Sequence, residues 1–228
     1  MASIAPEFAQ NRGLLQELLH SLSQPLTTLH CTLEHSLEHE ETGHAGEVAL
    51  ALEQTDHVIE LVRLMREYVE AETGCFLAEP FPLGLAIENV LEQLSVLAEA
   101  RKSGLFAYGA SMARIPVRGI WLQRALLYLV GALLEFESSG SAITILLEDG
   151  PSHSFISGHC LPMKPTPDGA LEPSRRSPEA NTSQQVKIEI ARRVLGSSGA
   201  SVDFYANGRP GFFIRLPKAS SGLVEIPA

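Results

Sequence analysis

The sequence predicts an α+β protein in which an N-terminal antiparallel helical hairpin, forming a four-helix bundle by dimerisation, precedes a sheet backed by helices. Three observations predict it. Leucines recur at three- and four-residue steps through the first forty positions, a second apolar pattern of the same period follows after a short polar connection, and beyond two closely spaced prolines helical patterns alternate with β-rich runs.

The first helix is carried by Leu14, Leu15, Leu18, Leu22, Leu26, Leu29, Leu33 and Leu37, and it frays at the polar, glycine-containing stretch 39–43. The second uses Val48, Leu52, Val58, Ile59, Val62, Met65 and Val69 and ends before Gly74. Two such helices on a short connection make an antiparallel hairpin. Its two apolar stripes cannot both be buried within one copy, so self-association through residues 10–74 is expected. Pro80 and Pro82 mark the passage to a second region. There the pattern predicts a helix over 83–100, a strand near 105–108, a strongly apolar helix over 118–137 and a β-rich run at 142–147. Residues 149–183, with six prolines, read as loop. A helix over 184–195 follows, then a hairpin of 202–205 and 212–216 around Asn207 and Gly208. The domains expected are therefore 1–78, 79–217 and a mobile tail, 218–228.

Composition narrows the function classes. Seventeen basic against 27 acidic residues give a net charge of −10, which disfavours nucleic acid and anionic membranes as partners. Cys31, Cys75 and Cys160 form no CxxC pair and read as reduced thiols of a cytoplasmic protein. The N-terminus has no basic segment followed by an apolar run, so no signal peptide is expected. The most apolar window, 120–136, is interrupted by Gln123 and Arg124 and reads as a buried helix, not a membrane span.

One histidine stands out by position. On a wheel of about 100° per residue, the leucines of the first helix fill an arc of about 140°, and His20 falls about 170° from its centre. Gln16, Ser23, Gln24, Thr27 and Cys31 share that outer side. Pro25 stands inside the helical run, where it removes a backbone bond at a cost of about 3 kcal/mol and bends the chain beside the imidazole. The small neighbours leave room for another protein's active site.

The run His20-Ser21-Leu22-Ser23-Gln24-Pro25-Leu26-Thr27 resembles the H-box of sensor histidine kinases, H-[E/D]-x-x-[T/N/Q]-P-L-T, with histidine, glutamine, proline and the Leu-Thr pair in register. Leu61-Val62-Arg63-Leu64-Met65-Arg66 is similar to the close of that family's dimerisation and histidine-phosphotransfer hairpin. Residues 82–105 resemble the start of its ATP-binding domain, Leu122-Gln123-Arg124-Ala125-Leu126-Leu127 its N-box helix, and Phe212-Phe213-Ile214-Arg215-Leu216-Pro217 its last strand. The resemblance covers about residues 10–217 in collinear order and implies a kinase-type ATPase-like α/β sandwich for the second domain.

It also implies what has been lost. The two N-box asparagine positions carry Tyr128 and Ala132, neither suited to a magnesium ion that wants oxygen ligands. The place of the D-x-G-x-G loop, residues 155–160, holds no aspartate and one glycine, and the place of the G-x-G-L-G-L loop, residues 182–187, holds no glycine. ATP binding is therefore expected to be lost. Ser21 replaces the acidic residue that acts as base beside the histidine.

The function implied is a histidine phosphotransferase of a two-component phosphorelay, similar to the dimeric phosphotransferases of that kind. His20 takes phosphate from a receiver aspartate and passes it to another receiver, with magnesium supplied by the receiver and no cofactor of its own. Ser21 and Gln24 orient the ring or the phosphoryl oxygens, and Gln16, Ser23 and Thr27 dock the receiver. Response-regulator receivers, and a hybrid histidine kinase, are the expected partners. A non-catalytic docking scaffold, a receiver phosphatase using Gln24, and a competent autokinase are the alternatives. Of the remaining candidates, His35, His39 and His44 read as a solvated helix end, not a metal site. Arg175 and Arg176 lie in the proline-rich loop, and the glycines at 196 and 199 form a turn after a helix, not a phosphate loop.

Overall fold

The computed structural model describes residues 5–38, 45–136, 141–162, 182–205 and 209–219, and the chain divides into two units, 1–73 with 181–186 and 74–180 with 187–228. The first holds α1 (Ala5–Glu38) and α2 (Ala45–Thr73), which pack together as an antiparallel hairpin. The expected connection at 39–43, with His39 and His44, lies outside the described residues.

The single leucine arc expected for α1 proves to be two stripes. Leu18 and Pro25 are buried and Leu22, Leu29 and Thr32 half-buried, whereas Leu19, Leu26 and Leu33 are about half exposed. Positions 18, 22, 25, 29 and 32 face inward on a 4-3-4-3 spacing, and 19, 26 and 33 lie about 80° round the helix. α2 repeats the device. Leu61, Leu64, Tyr68 and Ala71 are buried, while Val48, Leu52, Ile59, Val62 and Val69 stay exposed. A wheel centred on all apolar residues merges two heptad seams into one arc, which is why the sequence pattern alone shows a single face.

The second unit is built on a five-stranded mixed sheet. Its strands are β2 (Gly104–Tyr108), β4 (Ser141–Asp149), β5 (His153–Pro162), β6 (Ser201–Tyr205) and β7 (Gly211–Pro217), in the order β2-β4-β5-β7-β6. Only β2 and β4 run parallel. β1 (Leu77–Pro82) and β3 (Arg114–Val117) form a small antiparallel pair. The helices are α3 (Leu83–Ala100), α4 (Gly119–Phe136) and α5 (Thr182–Gly196), the last belonging to this unit from Lys187 onward. Alternate sheet positions, Ile143, Ile145, Leu147, Ile156, Phe212, Ile214 and Leu216, are buried on one face, and the buried sides of α3 and α4 pack beside them. α4, the one described helix long and apolar enough to cross a membrane, keeps half of that window buried, as a core helix does.

Three elements depart from the sequence expectation. Residues 153–162, expected within a loop, form the central strand β5, hidden in the pattern because its inward positions are Ser154, Ile156, Gly158 and Cys160 and not four large apolar residues. β1 and β3 are also additional, their prolines (Pro80, Pro82, Pro116) being tolerated in a two-stranded sheet with free edges. At the start of the expected tail, the amides of Lys218 and Ala219 donate to the carbonyls of Ser152 and Arg114. Residues 163–181, with Arg175 and Arg176, and the Asn207–Gly208 turn lie outside the described residues, as does 220–228.

Candidate functional site

His20 lies in the middle of α1, exposed, about 160° round the helix from the inward stripe. Ser23, Gln24, Thr27 and Cys31 are exposed on the same side. Gln24 stands one turn on and only about 40° from His20, so its amide and the imidazole address the same volume. Ser21 is different. It is half-buried and about 100° from His20, on the flank that turns toward the hairpin core. The side chain of Gln16 lies outside the described residues.

The backbone around this face is weakened at several points. Pro25 has no amide hydrogen, so the Ser21 carbonyl loses its helical donor next to His20. The hydroxyls of Ser23 and Thr27 donate to the carbonyls of Leu19 and Ser23 at 3.0 and 2.9 Å. Thr28 and Thr32 do the same to Gln24 and Thr28 at 3.2 and 2.8 Å. Such back-bonding competes with the helical bonds and bends the helix. It also sets the chemistry of the face: with their protons given to the helix, Ser23 and Thr27 meet a partner as acceptors.

The positions expected to have lost nucleotide chemistry lie on α4, β5 and the start of α5. Tyr128 and Ala132 are 4% and 2% exposed, on the buried side of α4. Residues 155–160 are strand, not loop, and the buried thiol of Cys160 donates to the Leu133 carbonyl of α4 at 3.7 Å. Residues 182–187 are the first turn and a half of α5. Lys187 pairs with Glu135 at 3.7 Å, joining α5 to α4.

A further polar cluster closes the end of β4. The Asp149 carboxylate accepts from Ser154 Oγ at 2.7 Å, Ser111 Oγ at 2.8 Å and the Met112 amide at 3.2 Å, with Lys218 Nζ 3.6 Å away. Burial opposes ionisation of this carboxyl, but the hydroxyls, the ammonium and the amide outweigh it and hold its pKa below the usual value. Across the outer sheet face, Tyr205 Oη and His159 Nδ1 lie 2.9 Å apart, and partial burial raises the Tyr205 phenol. Cys31, Cys75 and Cys160 form no disulfide, the first two being exposed and the third buried. Among the described residues no group of three or more His, Cys, Asp or Glu side chains is placed to hold a metal.

No family profile matches the chain, and no curated protein does. Solved structures do. The histidine kinase AdeS of Acinetobacter baumannii superposes with a TM-score of 0.65 at 16% identity, covering 87% of this chain and 98% of that one. The chain has the histidine-kinase fold. The histidine kinase ThkA, solved in complex with the response regulator TrrA, gives a TM-score of 0.67 at 15% identity over 96% of this chain and 68% of that one. Full-length ShkA, solved with AMPPNP, gives 0.57 at 17% identity over 90% and 46%. With the hairpin followed by an α/β kinase-like domain in the same order, the α+β fold class expected from the sequence is the one observed.

Proposed function

We propose that this chain is a histidine phosphotransferase that takes a phosphoryl group from a receiver aspartate onto His20 and gives it to a second receiver, in the cytoplasm and as a homodimer. The observation that carries the reading is an exposed histidine in an H-box register that departs from the motif at Ser21, on a hairpin joined to a domain whose nucleotide-handling positions are buried or built into regular structure.

Tyr128 and Ala132 offer a phenol and a methyl where magnesium needs oxygen ligands, and both are enclosed in the core. The Cys160 thiol has its proton committed to Leu133, and helix α5 occupies the place of a glycine loop that would admit phosphates. These residues do not suit a nucleotide, so the donor is taken to be a protein. An acyl phosphate is already activated, which fits a site whose neighbouring residue is a serine and not a carboxylate. A neutral ring nitrogen of His20 attacks phosphorus. The P–N bond forms as the bond from phosphorus to the bridging carboxyl oxygen of the aspartyl phosphate breaks, the aspartate leaves as carboxylate, and the other ring nitrogen releases its proton to solvent. The return step reverses this on the second receiver. The complex of ThkA with a response regulator supports receivers as the partner class.

Incubation of the purified chain with a ³²P-labelled receiver tests the reading. Label is expected to move to the chain and on to a second receiver, and to be lost in His20→Gln. Label released as free phosphate and dependent on Gln24 makes the protein a phosphatase, and label that stays on the receiver makes it a scaffold. Labelling by ATP alone, lost in His20→Gln, overturns the proposal.

A further inference from the structure

The outer stripe of α2 follows a strict heptad seam, 48, 52, 55, 59, 62, 66 and 69, with steps of 4-3-4-3-4-3. Five of these positions are Val, Leu or Ile and about half exposed. The stripe on α1 is leucine at 19, 26 and 33. Together the exposed halves of these eight side chains come to on the order of 600 Å², as large as the largest apolar patch of a typical monomer and most of the roughly 800 Å² that each partner contributes to a standard interface. That area, and a spacing suited to knobs-into-holes packing, fit a second copy of the same hairpin.

Arg66 breaks this seam. It occupies a seam position between Val62 and Val69, with its side chain 72% exposed, and its Nε lies 3.7 Å from Glu70 one turn on. In a hairpin free in solution the pair is an ordinary surface ion pair of small worth. In a dimer closed through the seam the guanidinium loses water, and the facing stripe on α1 offers leucine, so Glu70 must accompany it. A charged residue at one seam position lowers the strength of a helical interface and penalises every register that leaves it against apolar side chains without its counter-ion.

Resting on the dimeric reading above, we propose that Arg66, held by Glu70, fixes the register of self-pairing and limits its strength. The next seam position that is not apolar, Thr55, carries no charge. Arg66 is therefore the one charged position of this seam.

Sedimentation equilibrium of the full chain, with circular dichroism to confirm helicity, tests this on the wild type, Arg66→Leu, Arg66→Glu and Ile59→Asp. The wild type is expected to be a reversible dimer that Ile59→Asp dissociates. Arg66→Leu is expected to tighten it about tenfold, and Arg66→Glu, which sets a second carboxylate beside Glu70, to weaken it at least tenfold. A dimer whose dissociation constant is the same in both Arg66 variants, or weaker in Arg66→Leu, overturns the role of Arg66 and leaves the dimeric reading standing. A wild type that is monomeric at every concentration overturns both.

Discussion

Restoring the two asparagines that a magnesium-nucleotide site would use tests whether the second domain is a vacant kinase or a filled one. Tyr128 is 4% exposed. An aromatic side chain buries about 150–250 Å², worth about 4–6 kcal/mol at about 25 cal/mol per Å². Asparagine recovers part of that area but brings an amide that must find partners among the apolar residues around α4, so Tyr128→Asn is expected to cost about 3 kcal/mol or more. Ala132 is 2% exposed, and Ala132→Asn inserts bulk into a closed contact at about 1–3 kcal/mol. The double variant thus loses about 5 kcal/mol from a stability that is typically about 5–15 kcal/mol for a domain. Urea unfolding of the single and double variants gives the stabilities, and calorimetric titration with MgATP reads nucleotide binding. The expected result is a large fall in the unfolding midpoint with no saturable binding. Micromolar MgATP binding, or an unchanged midpoint, refutes the reasoning that these side chains fill the site.

Two further predictions concern the sheet. A Cβ at Gly158 would sit 2.4 Å from the buried Phe212 ring, so Gly158→Ala is expected to cost about 1–3 kcal/mol by urea unfolding, as overpacking does. Because the Asp149 pKa is lowered in the fold, its stabilising contribution is full above the unfolded carboxylate value of about 3.9 and is lost as pH falls through the lowered folded value. Asp149→Asn should therefore lower Tm at neutral pH, with the gap from wild type closing on acidification between pH 5 and 2; a gap independent of pH refutes the linkage.

Much of the fold was legible from local physics. α3 occupies the predicted 83–100, and α4, α5 and the β6–β7 hairpin fall within a few residues of expectation, because each carries its own periodicity and is bounded by glycine, proline or a polar run. β5 was not legible, since a central strand with serine, glycine and cysteine on its inward face has no period-two apolar signal. Its glycine is needed by a residue more than fifty positions away: Gly158 pairs with Phe212, whose ring takes the space a side chain would fill. The same holds on the outer face, where Gly211 leaves room for the Tyr205 ring to reach His159.

The H-box shows the same division. Spacing alone placed His20 on the outer side of α1, because helical geometry converts spacing into direction. The packing of α1 on α2 was needed to show that Ser21 turns toward the core while Gln24 stays beside His20, and that the leucines of α1 divide into one stripe for α2 and another left exposed. A wheel gives each residue an angle but not its partner. Which of two adjacent apolar stripes is buried depends on where the second helix lies, and that is a property of the packed hairpin.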